Sequence, residues 1–302
     1  MADWIVNPDE ASMLNLRAGI KPAEVRAVLP AGTSVAKLGT HPDDAVWWHV
    51  RASLAGGDVE GYLHSGYLTE ATGTPVADVP VPAGMPACHL APKGNLRTQD
   101  FGRARPLDEN TMPERSAADP AQIIAIIRYL DPGRGTHLRY QPKSSATYCN
   151  IYAHDYCARM GVYLPRVWWR ENALATIAAG GAPQVLYANT VRELNANSLH
   201  DWFETYGGAF GWRRVFSATA LQDAANAGGV GIIVAKRKDE SRSGHIAAVV
   251  PEHGHLNAAR HGSEVLRPVM SQAGSRNYTA ETPSSRWWLH SKFKSFGLWV
   301  HD

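Results

Sequence analysis

Cysteine is scarce in this chain, with three residues among 302. That excludes a disulfide-stapled scaffold, and no C-x-x-C pair or zinc-finger spacing of Cys and His occurs. Charge of one sign is lacking too. The formal net charge is +2, charged residues make up 19%, and Lys and Arg are spread along the chain, unlike the concentrated basic stripe of a nucleic-acid binder. No apolar run approaches the ~20 residues that span a bilayer. The opening "MADWIVNPDE" has no basic segment followed by an apolar one, so a secretory signal is not expected and the protein should be made in the cytoplasm. What is present, 44% hydrophobic residues over 302 positions, suits one large or two modest globular domains.

Texture divides the chain in three. Residues 1–70 carry short apolar runs, "SVAKL", "WWHVRA" and "EGYLHS", separated by Gly, Pro and Asp turn signals, as in a small all-β domain. Residues 71–119 begin with the Pro- and Gly-rich "TGTPVADVPVPAGMPA" and continue through a polar stretch, as a linker and irregular segment would. From 120 to 302 helical signals appear. "DPAQIIAIIRYLD" places Asp119 at an N-cap and Pro120 at the first helical position. A helix containing Cys149 and Cys157 should stop at Gly161, and "SATALQDAANAGG" reads as another from Ser217 to Gly228. "GVGIIVAK", "GHIAAVVPE", "HLNAARH" and "FKSFGLWVH" read as strands. Helices followed by mostly antiparallel strands imply an α+β fold.

The first segment resembles bacterial SH3-type (SH3b) domains: "LNLRAG", "AVLPAGTSVAKLG", "VWWHVRA" and "EGYLHSGYL" follow in that family's order. The resemblance implies an SH3-like barrel that tethers an enzyme to peptidoglycan. Leu14, Leu16, Val28, Val35 and Val50 can fill such a barrel, with Gly19 and Gly32 in its turns. Trp47, Trp48, Tyr62 and Tyr67 are candidate stacking surfaces for a sugar or peptide, or simply core and edge residues.

Between 144 and 157 the chain reads "SSATYCNIYAHDYC". On a helical wheel Cys149, Tyr152, Ala153, Tyr156, Cys157 and Met160 form one apolar stripe. Both thiols should therefore face a core, where a cysteine behaves as a small hydrophobe. Position separates them. Cys149 falls in the first turn, after an expected cap at Thr147, where free N–H groups and the helix dipole favour a thiolate. Cys157 lies deeper. Two helical turns separate the pair by ~12 Å, too far for a disulfide.

A nucleophilic thiol needs a base and a group to orient it. His245 opens an apolar strand after a Ser-Gly turn. If "HLNAARH" is a strand, alternation puts His255, Asn257 and Ala259 on one face. Asn257 is then the first candidate orienter, with His255 and Glu252 as rivals.

"TYCN" opening a helix, then "AANAGGVGIIVAK" and "GHIAAVVPE", resemble the CHAP and NlpC-type cell-wall cysteine peptidases. The resemblance implies a papain-like domain, a helix packed on an antiparallel sheet, and assigns Cys149, His245 and Asn257. Two features depart from the pattern. Tyr148 precedes the cysteine where NlpC-type enzymes usually carry Asp, which makes Tyr148 a candidate substrate contact. A long Trp- and Tyr-rich insertion, 165–215, separates Cys149 from His245, shaping a groove or padding the core.

The activity implied is hydrolysis of a peptidoglycan amide, by an endopeptidase or an N-acetylmuramoyl-L-alanine amidase, with no metal or other cofactor. His253, His255 and His261 lie close in sequence but lack H-E-x-x-H. Two alternatives stay open: a non-catalytic wall-binding protein, or an acyltransferase using the same thiol. The expected partner is peptidoglycan, not nucleic acid or a membrane span. A wall hydrolase without a signal would act on the wall or periplasm after lysis or dedicated secretion, and an immunity protein is conceivable in the second case.

Overall fold

The computed structural model describes residues 3–6, 13–20, 23–30, 33–54, 57–70, 84–144 and 146–302, and the chain divides into two compact units, Met1–Val79 and Pro80–Asp302.

The first unit is all β: β1 (Asp3–Val6), β2 (Met13–Arg17), β3 (Val25–Pro30), β4 (Ser34–Thr40), β5 (Trp47–Leu54), β6 (Gly57–His64) and β7 (Leu68–Glu70). They join in one antiparallel sheet in the order β3-β2-β6-β5-β4-β1-β7. Val6, Leu16, Leu29, Val35, Val50, Ala52, Leu63 and Leu68 make its core. Two expected barrel fillers differ: Leu14 is only partly buried at the edge of that core, and Val28 is 39% exposed. Val28 loses its place because Leu29, its neighbour along β3, points inward and alternation turns Val28 out. Gly32 and the start of the expected linker lie outside the described residues.

The second unit is mixed α+β. Residues 84–119 contain no helix or strand among the described residues, yet they belong to this unit. Cys88, Leu90 and Leu107 enter its core, and Arg115 donates to the carbonyls of Met160 and Gly228. Polar composition concealed this, because arginines and backbone groups do the anchoring.

The helix α1 (Pro120–Leu130) starts as its caps require: Asp119 accepts from the Ala121 N–H ahead of Pro120. Its buried residues Ile123, Ile126, Ile127 and Leu130 follow helical spacing. The central helix α2 (Cys149–Arg159) is buried nearly all round, with Ile151, His154 and Asp155 inside as well as the apolar stripe. Its charge is compensated: Asp155 accepts from Arg139 Nε at 2.5 Å and Nη2 at 3.0 Å and from the Tyr140 hydroxyl at 3.0 Å. The 165–215 insertion folds as β8 (Val167–Trp169), α3 (Glu171–Ala178), β9 (Val191–Glu193), α4 (Ala196–Tyr206) and β10 (Arg213–Val215). Trp168, Trp202 and Trp212 are buried with Phe203 in the core.

Then come α5 (Ala218–Asn226), β11 (Val230–Arg237), β12 (His245–Val249), β13 (Ala259–His261), β14 (Glu264–Arg267), β15 (Met270–Gln272), β16 (Tyr278–Glu281) and β17 (Phe293–His301). Six strands form an antiparallel sheet in the order β10-β17-β11-β12-β15-β16. Alternation divides its core. Ile232, Val234, Ile246 and Ala248 pack in the cluster holding α1, α2 and α4, while Ile233, Ala235, Ala247 and Val249 pack with α5. Burial on both faces is why these strands read as continuous apolar runs.

The strand expected over 255–261 is shorter. His253 and Leu256 exchange backbone hydrogen bonds at 3.1 and 2.9 Å, closing a tight turn, and β13 begins only at Ala259.

Candidate functional site

Cys149 is the first residue of α2. The cap expected at Thr147 is replaced by Tyr148, whose side chain makes no capping bond, so no side-chain oxygen competes for the first N–H groups. The thiol lies beside the backbone N–H of Ile246, the second residue of β12, and those of Asn150 and itself also reach it. Burial nonetheless dominates: Cys149 is 2% exposed and its pKa is raised, against the pull of those N–H groups and of the Arg166 charge. Helix position alone, which favours a thiolate, is overruled by desolvation. Cys157 and Cys88 are buried as well, all three cysteines are free, and burial pushes Cys88 up to about 12.

His245 opens β12. Gly244 makes that start possible, because a Cβ there would lie 2.1 Å from the Ala235 carbonyl oxygen and 2.7 Å from Asn197 Oδ1. The side-chain hydrogen-bond partner of His245 is neither Asn257 nor its rivals, His255 and Glu252. His245 Nε2 is 2.7 Å from Oε1 of Gln272, on β15, the strand that pairs with β12. The amide's orientation is settled by its other end, since Gln272 Nε2 donates to the Arg276 carbonyl at 3.0 Å. Oε1 therefore accepts, Nε2 of the imidazole carries the proton, and Nδ1 is left with a lone pair. Trp287 stands edge-on to the imidazole at 4.6 Å. Burial lowers the His245 pKa to about 4, opposed by the Gln272 bond, so the ring is neutral near pH 7.

By alternation His245 and Gln272 belong to the sheet face opposite α2. The thiol meets β12 at the Ile246 N–H, the residue that follows His245 in the chain. No hydrogen bond joins thiol and imidazole directly. Asn257 is exposed and its amide reaches only the His255 carbonyl at 3.4 Å, while His255 is exposed in the turn. Glu252 is held by Arg260 at 2.5 Å, by Asn226 and by the Ala258 N–H, which together keep its pKa down to about 2. Sequence alternation missed Gln272 because the turn at 253–256 breaks the assumed strand, and β13–β14 form a separate hairpin before β15 pairs with β12. Among the described residues no cluster of three or more His, Cys, Asp or Glu is disposed to hold a metal ion.

Tyr148 is covered by the Arg103 guanidinium, 3.7 Å above its ring. Arg103 also lines a cavity of about 400 Å³. A larger one, about 570 Å³, opens between β8, β9 and α4, walled by Trp168, Trp202 and Tyr206. In the first unit Trp47 is buried edge-on to His64 at 5.5 Å, and Trp48 lies under the Lys37 ammonium at 3.7 Å. Tyr62 sits between His41 and His49 at 4.9 and 5.0 Å, and Tyr67 is 40% exposed.

No family model and no curated protein matches the chain. Among solved structures, NlpC2 from Trichomonas vaginalis is similar at a TM-score of 0.22 and 10% identity, over 97% of this chain and 73% of that one. A likeness at that score carries no weight in the argument.

Proposed function

We propose that the second unit is a thiol hydrolase acting on an amide of the peptidoglycan peptide, with Cys149 as nucleophile, His245 as base and Gln272 as the residue that orients it. The observation that carries the reading is the hydrogen-bonded relay from Arg276 O through Gln272 to His245 Nε2, which leaves Nδ1 unprotonated, on the residue that precedes the Ile246 N–H met by the Cys149 thiol. In this reading Nδ1 takes the thiol proton, sulfur attacks the carbonyl carbon, and the tetrahedral intermediate collapses to the acyl-enzyme as Nδ1–H protonates the departing amine. Water, deprotonated by the same nitrogen, then hydrolyses the thioester. The free N–H groups at the helix start would hold the oxyanion. Trp287 packs edge-on against the imidazole at 4.6 Å.

The wall as substrate rests on the sequence resemblance to SH3b and CHAP/NlpC-type proteins, and the papain-like and SH3-like descriptions of the two units belong to this proposal. Digestion of purified sacculi followed by mass spectrometry of the fragments tests it. Wild type should release stem peptides or sugar-linked fragments from one bond type, and Cys149→Ala should release none. Equal release by the variant rejects the nucleophile. The low exposure of Cys149 favours one rival, a wall-binding protein without turnover, which would bind sacculi and release nothing.

A further inference from the structure

The cavity of about 400 Å³ beside Tyr148 is lined by Leu90, Asp100, Arg103, Arg105, Tyr187 and Glu193 among others. Its charges do not cancel. Asp100 is committed to Lys143 at 3.0 Å, and Glu193 to the buried Arg166 and to the Tyr187 hydroxyl at 2.9 Å. Neither Arg103 nor Arg105 makes a close ion pair among the described residues, although the Arg103 charge also acts on Asp100. Arg103 donates from Nη2 to the Leu138 carbonyl at 3.0 Å, and its Nε is buried without a hydrogen bond. Arg105 donates from Nη1 to the Ala91 carbonyl at 2.5 Å. Five donors per guanidinium leave most of each fork unused.

These two arginines are held on a fixed backbone. Arg166 Nε donates to the Arg103 carbonyl at 2.8 Å, and Arg139 Nη2 to the Arg105 carbonyl at 2.8 Å. Both supporting guanidiniums are buried. Between Asn95 and this stretch only glycine fits: Gly102 has φ +70°, and a Cβ there would lie 1.8 Å from Asn95 Oδ1. Two buried cations and a close-packed turn thus present two guanidiniums without a close ion pair to one space, and Arg103 also stacks on the residue preceding Cys149. Support of this kind marks a built recognition site.

We propose that this cavity is a subsite for a free carboxylate of the peptide substrate, gripped by Arg103 and Arg105, with the Arg103–Tyr148 stack joining it to Cys149. The inference rests on the peptide-amide reading above and adds what the substrate must carry beside the scissile bond. Carboxylate suits the planar fork of a guanidinium, which binds it through two parallel hydrogen bonds. Its volume suits a fragment of one or two residues rather than a polymer.

The test uses the full chain carrying Cys149→Ala, so that bound peptide is not turned over. Calorimetry compares two stem tripeptides, identical except that the carboxyl group on the middle residue is free in one and a primary amide in the other. The free acid should bind at least about tenfold more tightly, the gain expected of a charge-assisted bond. Adding Arg103→Gln or Arg105→Gln should bring that ratio to within about twofold of one, and Arg105→Lys should restore part of it. Equal binding of both peptides by the parent, binding of neither, or a ratio that survives both substitutions overturns the proposal. A parent lacking Cys149 that still digests sacculi would sink the nucleophile assignment while leaving this ratio intact, so the two failures are distinguishable.

Discussion

A single amide decides which histidine nitrogen can act as a base. Because Arg276 O fixes Gln272 Nε2, truncating Gln272 frees the imidazole to rotate and to change tautomer. Gln272→Ala should lower kcat/KM by about 10- to 100-fold, the scale of an orienting partner. Asn257→Ala should stay within about twofold, since its amide touches only the His255 carbonyl. Steady-state kinetics on a soluble stem peptide separates these outcomes. The pH profile follows from the same burial. With a His245 pKa lowered to about 4, the base stays unprotonated well below pH 6, so the acid limb of kcat/KM should fall near pH 4 to 5 and not near 6.5. A limb centred at 6.5 would mean that another histidine serves as base.

The central helix is where stability and chemistry meet. Asp155 is enclosed with Arg139, and removing one partner leaves an unpaired buried charge. Asp155→Ala should therefore cost about 3–5 kcal/mol in denaturant unfolding, far more than loss of an exposed ion pair. His154 on the same helix is buried, and desolvation lowers its pKa to about 4 from 6.5. Below 6.5 the unfolded chain takes up a proton that the folded chain refuses, so the folded state loses ground as pH falls. His154 should therefore contribute a decline in stability as pH falls from about 6.5 towards 4, read from urea titrations across that window. At the sheet, Gly244→Ala pushes a Cβ against the Ala235 carbonyl and should displace His245, lowering activity at least about tenfold with a drop in Tm.

How much was legible in the sequence depends on how local the determinant is. Asp119, Pro120 and Ser217 announce their helices because caps act over three residues, and the structure uses Asp119 and Ser217 as caps. Cys149 at a helix start and His245 at a strand start were readable from the Gly and apolar runs around them. Gln272 was not, because a turn and a hairpin intervene before β15 joins β12. Residues 84–119 were unreadable for another reason. Their anchors are arginines reaching distant carbonyls, such as Arg115 to Met160 and Gly228, and no periodicity records such contacts.

For the whole molecule, each unit has its own core among the described residues, one cluster in the first and two larger ones in the second. A chain of residues 80–302 should keep its Tm within a few degrees and still cleave soluble peptide, while clearing intact sacculi more slowly once the first unit is gone. Loss of soluble-peptide cleavage in that chain would place part of the site in the first unit. No helix among the described residues is long and apolar enough to cross a membrane.

The proposed pairing of Cys149 with His245 is tested most directly by timed alkylation with iodoacetamide, mapped to each cysteine by mass spectrometry. Cys149 should be modified ahead of Cys88 and Cys157, at a rate that falls at least about tenfold in His245→Ala. Uniform protection of all three thiols, or labelling of Cys149 at the same rate without the imidazole, would contradict the account.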